Sequence, residues 1–197
     1  MLTLHHAPKS RSTRALWLLE ELGADYAVDY IDIKRADGSG AYDPKNPHPL
    51  KQAPALTTAD GQTIVESGFI FLYLTDLYPA AGLAPLAGDP RRAEYLAWLG
   101  LYTGVLEPVI TNKFRDTDRY TPQYEAAFET MHAQWKAALE RGPYLMGEHF
   151  SAADILFGSV LQFFRIVMPP DAVYDEWLAR LNPRPALARA MAKDGEP

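Results

Sequence analysis

Two periodicities divide the chain. Up to Pro79 short apolar runs alternate with turn residues and two helical patterns, and after Gly88 only helical periods remain. Leu2 to Ala7 alternates as a strand, with Leu2 and Leu4 on one face, and Pro8 ends it. Ala15 to Leu22 is a strong helix former closed by Gly23, and Tyr26 to Ile33 is β-rich enough for a second strand. A long Gly- and Pro-containing loop, with room for one helical turn, fills Lys34 to Leu50. Gln52 to Leu56 predicts a short strand interrupted by Pro54. A proline without an N–H belongs at a sheet edge, a bulge or a cis turn. Asp60-Gly61 turns the chain into Thr63-Ile64-Val65, and a buried helix capped by Ser67 runs to Pro79.

The order β-α-β, loop, β-β-α is that of a thioredoxin-like α/β fold. It occupies residues 1–79, and a linker follows over 80–88. Residues 89–197 read as an all-helical domain. Asp89-Pro90 opens a helix to about Phe114 that Pro108 kinks, and Thr121-Pro122 opens the next, whose apolar stripe is Tyr124, Phe128, Met131, Trp135 and Leu139. Ser151-Ala-Ala-Asp154 has the form of a capping box, with Asp in the place of Glu or Gln, before the most apolar segment of the chain. A further helix starts after Asp171, and a last one after Asn182-Pro183-Arg184-Pro185.

Composition narrows the chemistry. With 197 residues there is room for one or two cores, and a net charge of −6 without a local Lys/Arg cluster argues against binding a nucleic-acid backbone. The absence of cysteine excludes disulfides, thiolate metal sites and a cysteine nucleophile, so any thiol chemistry needs a thiol carried by the ligand. His5 and His6, adjacent on a strand, face opposite ways and make no metal pair; both read as structural. No apolar stretch approaches the ~18 residues of a membrane helix, and no signal-peptide core opens the chain, so a cytoplasmic location is expected.

The stretch from Lys51 to Leu74 carries the clearest ligand chemistry. A cis Ala53-Pro54 bond would hold the preceding backbone out for an extended peptide to pair with. The N-terminus of the helix after Ser67 suits a carboxylate, and Glu66 suits an ammonium. Together they describe a site for a small zwitterionic peptide.

QAPAL followed by ESGFIFLYL resembles the cis-proline strand and γ-glutamyl turn of the glutathione transferase family. PKSRSTRALWLLEELG is similar to that family's first loop and helix, YLMGEHFSAADI to its C-terminal capping segment, and RPALARAM to its last helix, so the likeness covers the whole chain. The resemblance, to bacterial serine-type, theta- or beta-like members, implies a homodimer with glutathione as co-substrate and no metal. It assigns Gln52, Ala53, Pro54, Glu66 and Ser67 to glutathione. It also implies conjugation to small hydrophobic electrophiles; Tyr102, Leu106, Ile110 and Phe114, spaced along one helical face, suit the wall of such a pocket and a core stripe equally. The family's thiol-activating residue lies in the loop after the first strand. Counting back from Arg14 favours Ser10, whereas counting back from Gly23 falls on Arg11 beside Ser12, and a site without a catalytic side chain is the third possibility. Arg11 or Arg14 could help hold the thiolate by charge, although a solvated surface arginine is the plainer reading of each. Peroxide or disulfide reduction, isomerisation and a non-catalytic binding module are the rival functions on the same fold. Neither partner class of nucleic acid or membrane is expected.

The chemistry asked of that loop is modest. A thiol with a pKa of ~8.5 is only roughly 3% thiolate at neutral pH, and two units of depression would raise this to roughly 75% for ~2.7 kcal/mol of preference for the anion.

Overall fold

The computed structural model of the chain describes residues 1–114, 121–165 and 168–195; the side chains of Lys113 and Phe114 lie outside this set. By internal packing the chain forms two compact units, Met1–Ala81 together with Arg184–Pro197, and Gly82–Pro183.

The first unit is built on a four-stranded sheet in the order β2-β1-β3-β4. β1 (Leu2–His6) runs parallel to β2 (Tyr26–Tyr30), placing His6 beside Tyr30. It runs antiparallel to β3 (Ala55–Thr57), which pairs antiparallel with β4 (Thr63–Val65). The parallel pair is joined by α1 (Thr13–Leu22), whose core face buries Ala15, Leu16, Leu18 and Leu19, and Gly23 closes it with φ 60°. α2 (Ser67–Leu77) completes the unit and buries Ile70, Phe71 and Leu74. The thioredoxin-like order read from the sequence is therefore the order found. Element ends differ. β2 stops at Tyr30 rather than Ile33, and β3 starts only at Ala55, because Pro54 has no N–H to place in the ladder. Residues 34–50 contain turns but no helix, and their shape is held by side chains: Asp32 accepts Ala41 N–H at 2.8 Å and Asp43 accepts Lys45 N–H at 2.8 Å.

The closing helix, α8 (Pro185–Asp194), packs along α1 in this first unit, whereas the sequence grouped it with the helical half. Two adjacent carboxylates on α1 hold it. Glu20 meets Arg189 at 2.7 Å and Lys193 at 2.5 Å, and Glu21 meets Arg184 at 2.5 Å. This pairing joins residues about 165 positions apart, which no local pattern announces.

The second unit is helical. α3 (Arg92–Leu101) begins two residues later than Asp89-Pro90 suggested, and Asp89 instead accepts the Arg91 N–H at 2.8 Å. The expected kink is a π-helical stretch, Tyr102–Leu106, leading into α4 (Glu107–Phe114). Pro108 lies just beyond it. A proline cannot donate to the carbonyl four residues back, and widening the preceding turn accommodates that loss. The remaining helices are α5 (Pro122–Arg141), α6 (Ala152–Phe164) and α7 (Ala172–Leu181). α6 is buried without interruption from Ala152 to Leu161. Trp135 of α5 stands edge-on to Phe157 at 4.9 Å, Tyr174 at 5.5 Å and Trp177 at 5.7 Å. Gly158 lets α7 approach, since a Cβ there would lie 2.5 Å from Leu181 Cδ1. Asp154 reaches back to Ser151 N–H at 2.9 Å, as its capping role requires, and also accepts from Leu145 N–H and Trp177 Nε1 at 2.8 and 3.1 Å.

Candidate functional site

The loop between β1 and α1 is fixed from three sides. Lys9 adopts a left-handed φ of 54°, and its N–H points to both Asp194 carboxylate oxygens at 3.2 Å. The Arg35 guanidinium donates to the Pro8 carbonyl at 2.7 Å. Ser12, fully buried at 0% exposure, anchors the turn, its Oγ accepting Ala7 N–H at 3.1 Å and facing Ala7 O at 3.1 Å. The same hydroxyl lies 2.7 Å from His6 Nδ1 and 2.8 Å from Ser10 Oγ. Ser10 is half-buried, so the pair presents one accessible hydroxyl backed by a buried one.

Ser12 therefore does not head α1 as a side-chain cap, and its hydrogen-bonding capacity is already taken up inside the loop. Asp194, at the end of α8 and 3% exposed, also accepts a short hydrogen bond from the Thr13 hydroxyl. Burial by itself would raise the Asp194 carboxyl, but His6, the Thr13 hydroxyl and the Lys9 N–H together hold it below the ordinary carboxylate range. Arg14 is buried rather than solvated, at the start of α1.

The second cluster surrounds the cis Ala53-Pro54 peptide. Gln52 is exposed, and its carbonyl is held by Asn46 Nδ2 at 2.9 Å. Since β3 begins at Ala55, the Ala53 backbone lies outside the ladder, where a ligand backbone can use it. Across β4, Glu66 takes an unusual φ of 69° and occupies the N-cap of α2, so Ser67 is the first helical residue and not the cap expected. Helix geometry leaves the Ser67 and Gly68 N–H groups without intrahelical acceptors, beside the Ser67 hydroxyl. Glu66 is exposed while Ser67 is buried, and the Glu66 carbonyl accepts the Phe69 and Ile70 N–H groups at 3.1 and 3.0 Å. Buried His48 sits within the field of Glu66. Its imidazole is pushed below the usual histidine range by burial, with the Glu66 charge pulling the other way. Thus an anion-accepting helix start, a carboxylate for an ammonium group and the Ala53 backbone just before β3 all belong to the first unit.

The chain matches the glutathione S-transferase N-terminal domain over residues 1–76 and the glutathione S-transferase C-terminal domain over residues 117–192. It belongs to the glutathione S-transferase family. It is 26% identical to glutathione S-transferase GstA of Escherichia coli O157:H7, with 98% of each chain covered. It is 27% identical to the disulfide-bond oxidoreductase YfcG of Escherichia coli K12, over 98% of this chain and 95% of that one. A sphingomonad glutathione S-transferase solved in complex with glutathione superposes with a TM-score of 0.78 at 25% identity, covering 99% of this chain and all of that one. Among the described residues no helix is long and apolar enough to cross a membrane, and no group of three His, Asp or Glu side chains could hold a metal ion.

The residues expected to receive an apolar substrate are buried wherever their side chains are described. Tyr102 and Leu106 are core residues of the second unit, 2% and 0% exposed, and Tyr102 stands edge-on to Phe157 while its hydroxyl donates to Glu107. Ile110 is buried too, and the Phe114 side chain lies outside the described residues. The regular spacing along that helical face thus reflects a core stripe. Four residues of the site escaped the sequence reading. Asn46 and His48 lie in a loop without periodicity, and His6 was set aside as structural although it contacts Ser12. Asp194 stands 182 positions beyond Ser12, and only the packing of α8 on α1 brings it in.

Proposed function

We propose that the chain is a glutathione transferase that conjugates the glutathione thiolate to small hydrophobic electrophiles. The observation that carries this reading is the half-exposed Ser10 hydroxyl, backed at 2.8 Å by buried Ser12, on a loop held rigid by Arg35 and Asp194. Ser10 is the hydroxyl that meets the sulfur, as a hydrogen-bond donor to the thiolate and not as a nucleophile. Glutathione is the co-substrate, and no metal takes part. Its γ-glutamyl carboxylate sits at the start of α2 on Ser67, its ammonium on Glu66, and its cysteinyl backbone pairs with Ala53 beside Gln52 and the cis-Pro54. The enzyme works in the cytoplasm as a homodimer, as its family membership suggests.

The test is the pH dependence of kcat/KM toward an aromatic electrophile in wild type and Ser10→Ala. Loss of the donor should raise the apparent thiol pKa by about one unit and slow conjugation below it about tenfold, with glutathione affinity little changed. Wild type that binds glutathione but conjugates nothing would overturn the transferase reading. The likeness to YfcG favours a second reading, reduction of disulfides. A chain without cysteine would have to perform it entirely with glutathione thiols, and turnover of a mixed disulfide far exceeding conjugation would select it.

A further inference from the structure

Behind Ser10 lies a chain of polar atoms that conjugation alone does not require. Ser10 Oγ is 2.8 Å from Ser12 Oγ, and Ser12 Oγ is 2.7 Å from His6 Nδ1. On the far side of the imidazole, Nε2 is 3.4 Å from Asp194 Oδ1, a charge contact without an aligned hydrogen bond. His6 is wholly buried, and Ser12 connects its Nδ1 to the half-exposed Ser10 hydroxyl.

Counting protons leaves two arrangements. Ser12 has one hydrogen and two lone pairs, and Ala7 N–H occupies one of those lone pairs. When His6 is neutral with its hydrogen on Nε2, Nδ1 accepts from Ser12, Ser12 accepts from Ser10, and the Ser10 hydrogen points inward. A thiol above Ser10 then donates its S–H to the Ser10 oxygen. When His6 also carries a proton on Nδ1, it donates to Ser12. Ser12 turns its hydrogen to the Ala7 carbonyl or to Ser10, and the Ser10 hydrogen is free to point outward at sulfur. The two states differ by one proton.

We propose that His6 is the acceptor of the glutathione thiol proton, reached through Ser10 and Ser12, with Asp194 as the counter-charge that stabilises the resulting imidazolium. This rests on the reading above that Ser10 meets the sulfur. In the step, the thiol proton passes to Ser10 Oγ, the Ser10 proton to Ser12 Oγ, and the Ser12 proton to His6 Nδ1. One S–H bond breaks, one N–H bond forms, and each serine exchanges one O–H bond for another. The products are a thiolate accepting a hydrogen bond from Ser10 and an imidazolium facing the Asp194 carboxylate. Ordinary thiol and imidazole pKa values oppose the transfer by about two units, roughly a hundredfold. The Asp194 carboxylate, 3.4 Å from Nε2, supplies the opposing charge that favours the imidazolium.

The other groups around the ring do not compete for this role. Tyr30 of β2 stands edge-on at 5.6 Å with its hydroxyl committed to the Lys193 carbonyl at 2.7 Å. Thr13 donates to Asp194, Arg35 is engaged with the Pro8 carbonyl, and Lys9 reaches Asp194 through its backbone N–H. His5, on the opposite face of β1, is taken by Asp29 and Thr57 at 2.9 and 2.8 Å.

The experiment titrates glutathione into the whole protein at about pH 7 in buffers of differing ionisation enthalpy. It follows the ultraviolet thiolate band and the imidazole nitrogen resonances of His6, assigned by comparison with His6→Asn. The expected result is a thiolate band with less than about 0.2 proton released to buffer per thiolate formed, while His6 passes from neutral to imidazolium. S-methylglutathione, which has no thiol proton, should bind and leave His6 neutral. In Asp194→Asn the thiol pKa should rise by about one to two units, cutting the thiolate below it about 10- to 100-fold. In Ser12→Ala, which keeps Ser10 but severs the path, about one proton per thiolate should appear in the buffer. A thiolate band in wild type with a full proton released and His6 neutral would overturn the relay while leaving the transferase reading intact. An unaltered thiol pKa in folded Asp194→Asn would overturn the role of the carboxylate. No binding of glutathione at all would overturn both proposals.

Discussion

Replacing Glu20 by Gln should loosen α8 from α1 in a way that depends on pH with a defined sign. The Glu20 side chain is 10% exposed and accepts from Lys193 at 2.5 Å, Tyr26 at 2.6 Å and Arg189 at 2.7 Å. Burial taken alone would raise its carboxyl, but these three donors outweigh burial and hold the pKa at about 2 against 4.5 in the free group. A carboxyl depressed by folding contributes stability that is complete above its unfolded pKa and is lost as pH falls from about 4.5 through about 2. A depression of ~2.5 units corresponds to ~3.4 kcal/mol at most. Arg189 and Lys193 are themselves about half exposed, and water screens their share, so about 1–2 kcal/mol is the expected contribution at neutral pH.

Glu20→Gln should therefore speed hydrogen exchange of the α8 amides roughly 5- to 30-fold at about pH 7, after correction for intrinsic rates. The difference from wild type should narrow steadily below about pH 4 and nearly vanish near pH 2. Urea unfolding midpoints measured over the same range provide the independent check. A deficit that is constant with pH, or that grows on acidification, would refute the assignment of this cluster as an ionic latch. The outcome bears on the proposed function because the latched helix ends at Asp194, which accepts the Lys9 N–H of the loop between β1 and α1.

Glu66→Ala and Ser67→Ala should each weaken glutathione binding by ~1–3 kcal/mol in calorimetric titration, since charged ligand groups would lose their partners; affinities unchanged in both would remove the γ-glutamyl assignment. Asp154 should show the opposite pH sign to Glu20. Desolvation raises its carboxyl from 3.8 to about 6 despite hydrogen bonds from Leu145, Ser151 and Trp177, so its favourable contribution is complete below about 3.8 and lost as pH rises through about 6. The stability of wild type relative to Asp154→Asn should accordingly fall by about 2–3 kcal/mol between about pH 4 and pH 7, read from urea midpoints; a gap that widens with pH would contradict it.

Much of this protein is written locally in its sequence. Strand alternation, turn dipeptides and helix stops have short range, so β1, β4, α1, α2 and α6 could be read within a residue or two. Pro54 and the Glu66-Ser67 pair were visible for the same reason, because a proline or a helix start limits its own backbone whatever packs around it. The choice between Ser10 and Ser12 was open, since two hydroxyls two residues apart differ only in their surroundings. The folded chain separates them by burying one against Ala7 and His6 and leaving the other half-exposed. Tyr102 and Leu106 carried a spacing that suits a pocket wall and a core equally, and only burial distinguishes the two. The role of α8 was beyond any local pattern. Its Arg and Lys residues look like an ordinary solvated face until Glu20 and Glu21, more than 160 residues earlier, are brought against them. Asp194 joins the loop by that same long-range packing, because a contact between distant segments is decided by which whole faces fit and not by the residues beside it in the chain.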